Sequence, residues 1–99
     1  MPRPVENFTE ILASPERFDG RLVTISGTIS NVQERISRAG NPYYTGDLSD
    51  GKQSIRVFSF GRSSCRGGQA TVDGTFNTVT RQGNYTFYNE IAATRVACQ

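Results

Sequence analysis

The turn Ser49-Asp50-Gly51-Lys52 is the feature that most narrows what this chain can become. Asp-Gly between two β-rich runs is a strong hairpin signal, because Gly adopts positive φ without a steric penalty and Asp tolerates it. The turn joins two predicted strands, Tyr43–Leu48 and Ser54–Phe60. Alternation along the second sets Ile55 and Val57 on one face and Arg56, Phe58 and Phe60 on the other. With Ile55 and Val57 in a core, the opposite face carries a guanidinium followed by two rings. A cation beside flat apolar rings suits a nucleic-acid strand, Arg meeting phosphate and rings meeting bases. The competing reading places Phe58, and less readily Phe60, in the core through a bulge.

The flanking segments extend this pattern. Residues 1–5 form a Pro-containing tail, and Phe8, Ile11 and Leu12 at i, i+3 and i+4 predict a short amphipathic helix over 6–14. Ser14-Pro15 interrupts it and opens a second helical turn anchored by Phe18, which Asp19-Gly20 then releases into a strand. From Arg21 to about Gln33, Val23, Ile25, Gly27 and Ile29 share a face before the phase slips by one to Val32. A slip beside a mid-strand glycine reads as a bulge and a bend, the device by which one long strand serves two neighbours. A polar loop, 34–42, contains Arg35 and Arg38. After a loop-like connector over 61–69, Ala70–Thr80 and Tyr85–Val96 form a second predicted hairpin about the turn 80–84. In the last strand Tyr85, Phe87, Ile91 and Ala93 share one face, with Tyr88 on the other.

Composition excludes several classes of protein. Ninety-nine residues suffice for one modest core, and ten glycines with four prolines fit a turn-rich β domain. Net charge is only +2, so distribution matters more than the sum; Arg35, Arg38, Arg56, Arg62, Arg66 and Arg81 all lie between residues 35 and 81. No apolar run reaches membrane-spanning length, and MPRPVENF lacks the apolar centre of a signal peptide. The chain as given therefore reads as soluble and cytoplasmic, with no membrane partner, and as exported if a leader has been removed. Two cysteines and no histidine do not make a four-ligand zinc site, and no metal or cofactor is expected. Cys65 and Cys98 pair if the chain end returns beside the connector, which implies an oxidising compartment; free thiols in a reducing cytosol are the simpler reading, and the spacing does not decide. Without histidine, a thiol next to a base or a phosphate-cradling glycine motif, the chain is not expected to be an enzyme.

Helix, long bent strand, hairpin, connector and hairpin make an all-β chain of five strands. This is the count and order of the oligonucleotide/oligosaccharide-binding (OB) fold, a Greek-key barrel, here expected over 21–99 with the 1–20 segment packed on it. The run YYTGDLSDGKQSIRVFSFG, followed by ATVDGTF and NYTFYNEI, resembles the single-strand-binding domains of the replication protein A large subunit, and it is similar to small bacterial stand-alone OB domains. The resemblance spans roughly residues 21–96. It implies that Arg56 contacts a nucleic-acid backbone or base edge, that Phe60 stacks on a base, and that Tyr85 supplies a second stacking ring. Arg35 and Arg38 match only as basic residues of the loop between the first two strands, and the connector lacks the family's usual helix. The expected function is single-stranded DNA or RNA binding with little sequence preference, through Arg35, Arg38, Tyr43, Arg56, Phe58, Phe60, Arg62, Arg81 and Tyr85. The alternative is an OB module, exported in one version, that binds a protein or peptide.

Overall fold

A computed structural model describes residues 7–63 and 65–98; the tail at 1–5 and the Glu6 end of the expected helix lie outside the described residues. Helices α1 (Phe8–Ala13) and α2 (Pro15–Phe18) precede strands β1 (Leu22–Ile36), β2 (Pro42–Ser49), β3 (Ser54–Phe60), β4 (Gly68–Gln82) and β5 (Tyr85–Cys98). The strands close in the order β1-β2-β3-β5-β4 into a ring, antiparallel except where β3 meets β5. The chain is thus mostly β, with two short helices. Asn7 caps α1, its side-chain oxygen accepting from the Glu10 amide at 2.7 Å, and Phe8 and Ile11 carry the helix into the core.

The central hairpin forms as its turn chemistry dictates. Gly51 takes φ 97°, and the Asp50 carboxylate accepts the amides of Gln53 (2.8 Å) and Lys52 (2.9 Å). Those two amide donors, Gln53 first, hold the Asp50 carboxyl below its usual value. The register Tyr43↔Phe60, Thr45↔Phe58, Asp47↔Arg56 sets these six side chains on one face, while Ile55 and Val57 face the core.

β1 serves two neighbours, pairing with β4 over Leu22–Ile29 and with β2 over Thr28–Ile36. The sequence pattern puts bend and bulge together at Gly27; the structure separates them. At Gly27 an added Cβ would lie 2.5 Å from the Ser49 carbonyl oxygen and 3.3 Å from the Phe8 ring, so this glycine lets β2 and α1 approach β1. The register slips between Ser30 and Gln33, where Asn31 holds φ 53°. Asn is among the few non-glycine residues that enter this region readily, which is why the bulge falls on it.

Inside the ring, Phe76 packs with Ile25, Ile29, Leu48, Val57 and Ile91, all buried. Beside them Gly74 has no room for a side chain: a Cβ there would meet the Ala92 carbonyl oxygen and sit 2.7 Å from the Ala93 Cα. Because the obstacle is backbone, Gly74→Ala should destabilise by about 1–3 kcal/mol. A lowered urea midpoint is the expected result, and an unchanged midpoint would show that the β4–β5 bulge can relax.

Cys65 and Cys98 are disulfide-bonded, with Cα atoms 5.7 Å apart, and no free cysteine occurs among the described residues. The free-thiol reading is therefore replaced by the paired one. β5 runs two residues beyond the expected end at Val96, and the register Ala70↔Cys98 brings the chain end beside the connector. No helix among the described residues is long and apolar enough to cross a membrane.

Candidate functional site

The site lies on the outer face of β2 and β3, because one end of the ring overhangs it. β3 pairs with β5 only from Arg56↔Glu90 to Phe58↔Ala92, and β1 follows β4 only as far as Thr75. Beyond these limits β4 and β5 continue together, from Val79↔Tyr88 to Gln82↔Tyr85, as a two-stranded arm. Gly83, at φ 61°, turns the arm with Asn84, so the expected turn over 80–84 shortens to two residues. Between the arm, the β2–β3 face and the far half of β1 lies a groove of about 1030 Å³. Arg35, Arg38, Tyr43, Asp47, Arg56, Tyr85 and Phe87 are among its lining residues.

Arg56 departs from the expectation of an uncommitted cation. Its Nε donates to Glu90 Oε2 at 2.7 Å, and its guanidinium carbon lies 3.8 Å from the centroid of the Phe87 ring. Glu90 is 1% exposed, and a buried carboxylate requires a cationic or hydrogen-bonding partner. The parallel β3–β5 register supplies that partner across 34 positions of sequence. Arg56 is therefore locally neutralised. It keeps its donor geometry for a ligand and gives up much of its long-range pull on phosphate. Asn89, at φ 56°, interrupts the alternation of β5, so Glu90 and Ile91 are buried consecutively. Tyr85 and Ile91, expected to share a face, consequently differ in environment, one exposed on the arm and the other in the core.

The rings form two groups. Phe58 stands on the outer face, stacked on Tyr43 at 5.3 Å and met edge-on by Phe60 at 5.2 Å. Its half-burial comes from these flanking rings, which answers the core-or-surface alternative in favour of the surface. On the arm, Tyr85 and Phe87 stack at 6.4 Å. Tyr43, Tyr85 and Phe87 line the groove, whereas Phe58 and Phe60 stand on the same hairpin face outside its lining. Phe60 is 73% exposed and Tyr85 71% exposed, a large apolar area to leave in water without a partner.

The remaining cations divide by position. Arg35 and Arg38 line the groove; β1 runs to Ile36 by pairing with β2, so Arg35, expected in a loop over 34–42, stands on the strand opposite Tyr43 and donates to Gln33 Oε1 at 2.6 Å. Arg62 and Arg81 are exposed but do not line it, and Arg66 pairs elsewhere with Glu34 at 2.9 Å. Asn31, Gln33, Thr45, Asp47, Asn84 and Phe87 line the groove without having been selected from sequence. Alternation from Tyr43 points to Thr45 and Asp47, whereas the bulge hides Asn31 and Gln33 from any simple period.

No protein-family model, curated protein or solved structure matches this chain.

Proposed function

We propose that this chain is an OB-fold module that binds single-stranded nucleic acid in the groove between arm and hairpin. The observation that carries the reading is the pair of strongly exposed rings, Phe60 and Tyr85, one on the hairpin and one on the overhanging arm. The strand order β1-β2-β3-β5-β4 supports the OB assignment, in which ligands lie across the second and third strands between the loops that flank them. Bases stack on the rings, and Arg35 and Arg38 meet phosphates. Because Glu90 offsets Arg56, stacking dominates over charge. With Arg56 offset, the other two groove arginines release few counterions, so log K against log salt for oligothymidine should have a slope of about −1.4, roughly 0.7 per phosphate on a single strand. A slope steeper than about −4 would overturn the stacking-led mechanism. The direct test is a backbone-amide NMR titration with the same oligomer. Shifts grouped at residues 35–44, 54–62 and 81–88 are expected, and a spectrum that does not move would remove the proposal.

A second reading has its own support. The Cys65–Cys98 bond favours an oxidising compartment, and Val79 and Tyr88 expose a cross-strand apolar pair on the other side of the arm. An exported module docking a peptide there would bind no oligonucleotide.

A further inference from the structure

Resting on the nucleic-acid reading, we infer that Asp47 and Arg56 together form a guanine-selective subsite on the groove floor. Asp47 is out of place in a groove that only tracks phosphate, since a carboxylate repels it. It is not spent on an arginine: among the described residues its recorded side-chain partner is Asn31, whose Nδ2 donates to Oδ2 at 3.3 Å. Both Asp47 and Arg56 line the groove, and they are direct cross-strand partners. Such pairs place their Cβ atoms about 5 Å apart, within the span of one base edge. Among the described residues Arg56 engages Glu90 through Nε, which leaves the donors of its two Nη groups for a ligand, while the Phe87 ring under the guanidinium limits its swing.

The floor thus offers a fixed pair of donors beside a pair of acceptor oxygens. Guanine presents the complement, with acceptors at O6 and N7 next to donors at N1 and N2. In adenine and cytosine a single amino donor stands among ring acceptors, and thymine has one N–H between two carbonyls. None of these satisfies the carboxylate twice. In a single strand the Watson–Crick and Hoogsteen edges are both open to such contacts. Tyr85, exposed on the overhanging arm, supplies a ring for the seated base.

The experiment is fluorescence anisotropy with labelled five-nucleotide strands of thymidine whose central base is guanine, adenine, cytosine or thymine. The guanine strand should bind at least about fivefold more tightly than the others, the discrimination of one good bidentate contact. Hypoxanthine in place of guanine, which lacks the 2-amino donor, should lose part of that margin. In Asp47→Asn the guanine margin should shrink to what Arg56 alone supplies at O6 and N7, with the circular dichroism unchanged and the all-thymine strand bound more tightly, since a carboxylate that repels phosphate is gone. Equal binding of the four strands by the wild-type chain, or a guanine margin undiminished in Asp47→Asn, overturns the subsite and leaves the module reading intact. Failure of every strand to bind overturns both.

Discussion

The double substitution Phe60→Ala with Tyr85→Ala should lower affinity for oligothymidine by about thirtyfold or more while leaving the melting temperature in place. Each base–ring stack contributes about 1–3 kcal/mol, so losing two removes about 2–6 kcal/mol of binding free energy. Both rings are largely exposed, at 73% and 71%, so their removal opens no cavity in the folded chain. Tyr88→Ala is the matched control. That ring is 69% exposed on the same strand, but alternation sets it on the far side of the arm from Tyr85 and Phe87. It should leave oligonucleotide affinity unchanged. If the double variant binds as well as the wild type, stacking is not the source of affinity. If Tyr88→Ala alone weakens binding, the ligand lies on the opposite side of the arm.

Arg56→Ala carries the largest expected loss of stability, about 3–5 kcal/mol, measured by urea or thermal unfolding. The cause is not the attraction that is lost. Glu90 remains, 1% exposed, with its charged partner gone from 2.7 Å and its desolvation unrelieved. The combined variant Arg56→Ala with Glu90→Leu should therefore recover most of the deficit, because replacing both members of a buried pair by apolar groups is close to neutral. Additive losses in the combined variant would contradict this account and place the effect in side-chain packing, such as the contact with Phe87. The pair also joins the base of the arm to β3. The two variants should consequently differ in oligonucleotide affinity less than they differ in stability.

Several features were legible because their causes act over a few residues. Asp50-Gly51 specified a turn, and the strand Ser54–Phe60 appeared with the expected bounds. Its alternation correctly set Arg56, Phe58 and Phe60 on one face and Ile55 and Val57 in the core. The helix carried by Phe8 and Ile11, and the helical turn opening at Pro15, were likewise written in spacing and proline chemistry. Phe58 shows where this legibility thins. Period 2 gives its face, but only the neighbouring rings of Tyr43 and Phe60 decide its half-burial.

Turn propensity and alternation are properties of consecutive residues, so the chain itself dictated a ring-bearing hairpin and a second hairpin to pair with it. Ring closure alone decided that β5 returns parallel to β3, which sets Glu90 under Arg56 and turns an expected phosphate cation into a neutralised donor. The same closure decided that the last hairpin outruns its neighbours to overhang the groove, and that Cys98 reaches Cys65. The physical reason is that contacts between distant segments depend on how strand lengths, bulges and register add up around the ring, and no local pattern records that sum.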